Sequence, residues 1–313
     1  MFTGNYSNLV GLFRERFKER VLVNEPLGPH VAYGVGGPAD ILVFPEIEED
    51  LLWLSTISKE HHVPITILGT GTNLLVLDGG IRGISVSLNH GFRDIVIIEN
   101  NSKVLVRAGG GVPKATLLEW AISRGFSGLE FSSGVPGTVG GGIFMNAGTK
   151  YGCYGDILRE IRLFDFVAGP TQFLTNKNDF RYREQSVVKN SLVVWATLEL
   201  KTGAPAAMRT EVSRIIQERA EKQPLDYPSC GSTFKNPEGF SAGRLIEKAG
   251  LKGLTSGGAQ ISEKHANFIL NKGTATAKDI LTLIEAVKER IKKQFDIELE
   301  CEVIVLGEDS IAC

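Results

Sequence analysis

Short apolar runs alternate with longer amphipathic segments through the first two thirds of the chain. Asp40 to Phe44 (DILVF) and Ile65 to Leu68 (ITIL) have the length and branched content of strands. Between them, Glu48 to His61 carries Leu51, Leu52, Leu54 and Ile57 at helical spacing. Ile95 to Ala108 splits at Asn100-Asn101 into two apolar runs, which predicts a β-hairpin. Pro113 opens a helix where its missing N–H is no loss; Leu117, Leu118, Ala121 and Ile122 share one face, and Gly125 ends it. Strands are predicted at 157–166, 171–174 and 191–200. Near the start, Leu9, Val10, Leu12, Phe13 and Phe17 against Arg14, Glu15 and Arg16 predict an amphipathic helix within residues 1–20.

The pattern changes after Gly203. TGAPAA (202–207) reads as a linker. A helix over 208–223 carries Val212, Ile215 and Ile216 and stops before Pro224. Another over 276–295 places Ile280, Ile284, Val287, Ile291 and Phe295 on one side, and Thr276 with Asp279 forms a capping-box signature at its start. Ile297 to Val305 alternates as a strand: Leu299, Cys301, Val303 and Val305 face one way, Glu298, Glu300 and Glu302 the other. The layout is two lobes, 1–88 and 89–205, followed by a C-terminal α+β domain at 206–313.

A chain of 313 residues can hold two or three such units. Its formal net charge of -2 gives no general electrostatic reason to bind nucleic acid or an anionic membrane. No apolar stretch approaches the roughly 20 residues of a membrane span. The N-terminal residues lack the apolar core and cleavage site of a secretion signal, so a cytoplasmic setting is expected. Cys153, Cys230, Cys301 and Cys313 form no C-x-x-C pair, and the adjacent His61-His62 lacks the helical spacing of a metal site. Neither a disulfide framework nor a metal is expected.

Glycine supplies the candidate chemistry. Its clusters at 34–37, 69–71, 79–83, 109–111 and 134–142 all lie in the first half. Gly69-Thr70-Gly71-Thr72-Asn73 directly follows a predicted strand, where successive amides can form an anion-binding nest and the side chains add donors. On its own this reads first as a plain strand-to-turn connection. The run Phe131 to Gly142 (FSSGVPGTVGGG) interleaves Val135 and Val139 with glycine and leads into Ile143, Phe144 and Met145. Apolar residues imply burial, and a buried glycine-rich backbone needs partners that a phosphate-bearing ligand could supply. Gly34-x-Gly36-x-x-Ala39 loosely matches a dinucleotide fingerprint, but a strand rather than a helix is predicted after it, so it is set aside.

In order along the chain, Tyr33-Gly-Val-Gly-Gly37, Gly69-Thr-Gly-Thr-Asn-Leu-Leu75, Gly134-Val-Pro-Gly-Thr-Val-Gly-Gly141 with Met145-Asn-Ala-Gly148, Tyr182-Arg183, Gln223-Pro-Leu-Asp-Tyr-Pro-Ser-Cys-Gly-Ser-Thr-Phe-Lys-Asn-Pro237 and Glu300-Cys-Glu-Val303 resemble the UDP-N-acetylenolpyruvoylglucosamine reductases, in the shorter, second type of that family. The resemblance implies a two-lobed FAD-binding module like that of the vanillyl-alcohol-oxidase flavoproteins plus a C-terminal α+β substrate domain. It implies FAD as cofactor and NADPH as co-substrate. The substrate is a nucleotide sugar whose enolpyruvyl ether is reduced to a lactyl ether, as a step in making peptidoglycan precursors.

The resemblance also assigns residues. Gly69, Thr70, Gly71, Thr72 and Asn73, with Gly134, Val135, Gly137, Thr138, Val139, Gly140 and Gly141, match its FAD-binding positions. Reduced flavin N5 gives hydride to the β-carbon, and charge then develops as an enolate on the substrate. Arg183 matches the residue that stabilises it, with Glu302 as partner, and Ser232 matches the proton donor to the α-carbon. Tyr182, Lys222, Lys235 and Asn236 are candidate substrate contacts. From the residues alone, Arg183 would read as a structural arginine, Ser232 as a turn serine, and Glu302 as part of a solvated face with Glu298 and Glu300. The chain departs from the family in Tyr182-Arg-Glu-Gln-Ser186, one residue longer than the usual Tyr-Arg-x-Ser. It also has Thr72 where serine is commoner, and Gly34 where a basic residue often stands.

Overall fold

The computed structural model describes residue 6, residues 9–101 and residues 103–309. Cys313 and the first residues of the expected N-terminal helix lie outside these.

The first lobe is a four-stranded sheet in the order Val21–Pro26, Pro38–Val43, Ile81–Ser87, Ile65–Leu68. The first pair is antiparallel and the other two are parallel. Helix Glu48–His61 has the predicted bounds and stops at His62 in the left-handed conformation, φ 53°. Helix Val10–Phe17 buries Phe13 and Phe17 against Trp53, with ring centroids 5.1 and 5.5 Å apart. With Leu9 they form an i, i+4, i+8 stripe, whereas Leu12 faces outward. The strand Pro38–Val43 directly after Gly34–Gly37 agrees with setting the dinucleotide fingerprint aside.

The second lobe is an antiparallel sheet in the order Gly169–Leu174, Leu158–Asp165, Ser191–Thr202, Val104–Gly109, Ile95–Asn100. The expected hairpin is its last pair. The long strand Ser191–Thr202 is buried on both faces over much of its length. It divides two cores: Val193, Ala196 and Leu198 pack under helix Lys114–Ser123, whereas Leu192 and Val194 join Phe13, Leu51 and Leu54 of the first lobe. Arg162 adds a bidentate link to Glu48 at 2.8 and 2.6 Å. The two lobes are thereby held in one register around the space between them.

Two expectations fail beyond this point. TGAPAA is not a linker: the strand continues to Thr202 and helix Pro205–Lys222 begins three residues later, with Pro205 at its first position. Met208 anchors that helix in the second lobe's core. Nor is Ile297 to Val305 one strand; only Ile304–Leu306 is, paired in parallel with Leu74–Val76 of the first lobe. The preceding amides go to loops instead, Glu302 N donating to Thr233 O at 2.8 Å and Ile304 N to Asn73 O at 3.0 Å. Leu299 and Val303 are buried and Glu298 and Glu300 exposed as the alternation predicts, but Val305 is exposed because the chain has changed neighbours.

Helix Ala277–Phe295 carries the expected reciprocal cap between Thr276 and Asp279, with N–H to side-chain oxygen distances of 3.1 and 2.9 Å. With helix Ala242–Lys248 and the small sheet Thr255–Ser256, Ala259–Ile261, Ile269–Asn271 it forms a core that also takes in Tyr33, Val35 and Leu75. The C-terminal part therefore docks on the first lobe at both ends.

Candidate active site

A cavity of about 700 Å³ lies where the two lobes and the C-terminal part meet, within the ~300–1,000 Å³ usual for a small-molecule site. Gly69 to Asn73 line one side; Val135, Gly137, Thr138, Gly140 and Gly141 line another; Arg183, Ser232 and Glu302 close the third. Segments far apart in sequence thus meet around one space.

The glycines have identifiable reasons. At Gly71, φ is +65°, and a Cβ would lie 2.4 Å from His30 O. At Gly137, φ is +116°, and a Cβ would crowd Thr72 Oγ1 and the Lys114 side chain. Amides of Thr70, Gly71, Thr72, Gly137 and Thr138 donate to no protein acceptor among the described residues. By contrast Val139 N bonds Val112 O and Gly140 N bonds Gly110 O, which pins the second loop to the core. Gly134 and Val139 do not line the cavity: Gly134 backs against Arg219 and Val139 is fully buried in the second lobe. Asn73 also bridges to the other wall. Its Nδ2 donates to Glu302 O at 2.8 Å and approaches Met145 Sδ at 3.4 Å.

Arg183 occupies the tight turn between Phe180–Arg181 and Glu184–Gln185, with φ +55°. A non-glycine residue in that region is unusual. Its Nε meets Glu302 Oε1 at 2.6 Å, and both side chains are largely buried. This leaves the terminal guanidinium nitrogens for a carboxylate. Burial pushes the Glu302 carboxyl above its ordinary range, opposed by the attraction of Arg183. Ser186, beyond the extra residue, bonds back to Asp179 O and does not line the cavity.

The Gly231 to Phe234 loop is held by Asn267. Thr233 N donates to Asn267 O at 2.7 Å, Phe234 N to Asn267 Oδ1 at 3.0 Å, and Asn267 Nδ2 to Phe234 O at 2.8 Å. Ser232 is thereby fixed on the cavity wall. Tyr182, Lys222, Lys235 and Asn236 lie outside that wall. Lys222 pairs with Glu218 at 2.8 Å. Lys235 pairs with Glu300 and Glu184 at 3.1 and 3.3 Å, and Asn236 touches the Tyr182 hydroxyl.

Lys114, Arg219, Asn89 and Asn267 escaped the sequence reading. Lys114 is 5% exposed, and neither it nor Arg219 has a carboxylate partner among the described residues. Asn89 Oδ1 is buried without a donor on the same wall. Lys114 did leave a signal: a lysine in a helix's first turn opposes the helix dipole, so its placement asks for another reason. Free amides, unpaired cations and an orphaned amide oxygen around one cavity suit a ligand with anionic and polar parts, as FAD has.

Comparisons with known proteins agree with this assembly. Residues 39–171 match an FAD binding domain, and residues 223–306 match the C-terminal domain of UDP-N-acetylenolpyruvoylglucosamine reductase. The chain is 43% identical to the UDP-N-acetylenolpyruvoylglucosamine reductase of Moorella thermoacetica over 301 residues, 96% of this chain and 98% of the relative. It is 40% identical to that of Clostridioides difficile over 306 residues, 97% of this chain and 98% of the relative. The crystal structure of the UDP-N-acetylenolpyruvylglucosamine reductase (MurB) from Thermus caldophilus superposes with a TM-score of 0.76 at 33% identity, covering 92% of this chain and 98% of the other. An alkyldihydroxyacetonephosphate synthase shares the fold alone, with a TM-score of 0.50 at 15% identity over 64% of this chain and 41% of the other. The fold is thus the expected two-lobed FAD module with a C-terminal α+β part, and the chain, an FAD-binding oxidoreductase, belongs to the UDP-N-acetylenolpyruvoylglucosamine reductase family.

Proposed function

We propose that the chain uses NADPH and FAD to reduce UDP-N-acetyl-3-O-(1-carboxyvinyl)-glucosamine to UDP-N-acetylmuramate, a step toward peptidoglycan precursors. The observation that carries this reading is the Arg183–Glu302 pair at 2.6 Å, set with Ser232 on the wall that adjoins both glycine loops. Bound FAD supplies two-electron reducing capacity, drawn from NADPH and delivered to the enolpyruvyl β-carbon.

The protein's own residues handle the charge and the proton. Arg183, held at Nε by Glu302, turns its terminal nitrogens to the substrate carboxylate, into which the enolate charge delocalises. The guanidinium cannot lose its proton, so the stabilisation is permanent. Glu302 orients that guanidinium, and its raised pKa eases the approach of a second carboxylate. Ser232 donates the proton to the α-carbon, its weak acidity offset by fixed position against a strongly basic carbon. In this reading 1–88 and 89–205 are the cofactor lobes and 206–313 carries the substrate side. Tyr182, Lys222, Lys235 and Asn236 meet the substrate at the cavity's outer edge, and the reaction takes place in the cytoplasm.

An anaerobic two-stage titration tests it. NADPH should bleach the flavin absorption of the loaded protein, and the enolpyruvyl nucleotide sugar should restore it. Bleaching that dioxygen reverses but the enolpyruvyl nucleotide sugar does not would reject the assigned reaction.

A further inference from the structure

We propose that Lys114 is a cofactor-binding residue whose ammonium neutralises the diphosphate of FAD at the junction of the two glycine loops. The inference rests on FAD as the cofactor, and concerns a residue on neither loop.

Three observations place the charge. Lys114 Nζ lies 3.3 Å from the point a Cβ on Gly137 would occupy, and Thr72 Oγ1 lies 3.1 Å from that same point. The ammonium and the hydroxyl therefore both stand beside Gly137 on the cavity wall, close enough for one diphosphate to reach both. The same cavity is lined by Thr70 to Thr72, Gly137 and Thr138, whose amides have no protein acceptor among the described residues. The lysine is 5% exposed and has no carboxylate or carbonyl partner among the described residues. A nearly buried, unpaired ammonium opposes folding unless an anion joins it. The carboxylate on the cavity wall, Glu302, is already engaged by Arg183.

The surroundings make the charge sensitive to pH. Burial first, then Arg219 on the helix Pro205–Lys222 and Arg183 on its turn, bring the Lys114 pKa down to about 8. The other ionisable groups on the wall are Glu302, Lys189 and Cys230. Burial raises the Glu302 carboxyl above its ordinary range against the pull of Arg183, and pushes the Cys230 thiol up to about 12. A bound diphosphate favours the ammonium and raises the lysine's pKa. Cofactor binding therefore takes up a proton between the free and bound pKa values. Affinity is full below about pH 8 and falls above it, by up to about tenfold per pH unit.

The test is FAD binding to the deflavinated full-length protein, followed by flavin fluorescence from pH 7 to pH 9. Lys114→Met should bind FAD about 10- to 100-fold more weakly at pH 7 and lose the pH dependence. Lys114→Arg should keep much of the affinity but lose the pH dependence, because a guanidinium does not titrate there. The Met variant's apoprotein should melt higher than wild type, since an uncompensated buried charge is gone; a fold merely damaged would melt lower. The midpoint potential of the flavin that remains bound should not move. Affinity within threefold of wild type in Lys114→Met, or an undiminished pH dependence in it, would overturn the proposal. So would a lowered flavin potential at unchanged affinity, which would place the ammonium against the ring. Wild-type protein that takes up no FAD would instead sink the cofactor assignment, and this proposal with it.

Discussion

The glycine-loop wall and the Arg183–Ser232–Glu302 wall face one cavity but are assembled over different distances. The second loop is fixed from close by: Lys114 N bonds Gly137 O and Val139 N bonds Val112 O, so the 109–114 turn and the 137–141 turn brace each other. On the other wall Asn267 braces the Ser232 loop in a similar way, but the Arg183–Glu302 pair is joined over a much longer distance. Arg183 and Glu302 are 119 residues apart, and Asn73 reaches 229 residues along the chain to Glu302 O. The glycine-loop wall can hold a cofactor once the two lobes have packed against each other. The composite wall exists only when the C-terminal part has docked on the first lobe. Binding and reduction of FAD should therefore be separable from reduction of the substrate, and each substitution below presses on that separation.

The largest effect is expected at Ser232. Ser232→Ala should leave NADPH-dependent flavin bleaching within a few fold of wild type, and slow reoxidation by the enolpyruvyl substrate by about 10²–10⁴-fold. Stopped-flow absorbance resolves the two phases. Equal slowing of both would mean that the two walls are not independent.

Arg183→Lys comes next. A point charge cannot hold Glu302 through one nitrogen and offer a carboxylate two more. We expect a loss of roughly 10²-fold in the same second phase, in line with removal of one charge-stabilising donor. Lysine carries the same charge, so rescue to near wild-type rates would reduce Arg183 to a simple counterion.

Gly71→Ala moves the damage to the other wall. A Cβ there would meet His30 O at 2.4 Å with the backbone at φ +65°. The strain, on the order of 1–3 kcal/mol, should appear as faster FAD loss and a lower Tm. The substrate phase of molecules still holding FAD should be nearly normal.

How legible each wall was follows from the same difference. Helix Glu48–His61, the 95–108 hairpin and the Thr276–Asp279 cap are written in neighbouring residues, and they were read from them. So were the glycine loops, whose composition needs a buried use. Arg183, Ser232 and Glu302 carry no local mark. A turn arginine, a Gly-Ser turn and one glutamate of an alternating three are each ordinary, and only the ordered resemblance singled them out. The segment before Glu302 misled because alternation looks the same whether amides pair with a strand or with loops; here Glu302 N goes to Thr233 O. Gly134 and Val139 sit in the same glycine run yet face away from the cavity, because every turn has two sides. Lys114 was overlooked for the converse reason: its neighbours are the apolar face of a helix, and its target lies on another segment.

The smallest effect, and the sharpest for the comparison, is expected at Asn73, where the walls join. It lies on the glycine-loop wall, but its Nδ2 bonds the carbonyl of Glu302 on the other wall at 2.8 Å. Removing one such bond typically costs about 1 kcal/mol. Asn73→Ala keeps the backbone of the loop, whose carbonyl still accepts from Ile304 N at 3.0 Å. FAD affinity should therefore change little. Glu302, freed at its carbonyl, would hold Arg183 less firmly, and the substrate phase should slow by about 5- to 10-fold. In a double-mutant cycle with Glu302→Gln, the two losses should not add, because both act through the aim of one guanidinium. Additive losses, or a loss confined to FAD affinity, would return Asn73 to the cofactor wall alone.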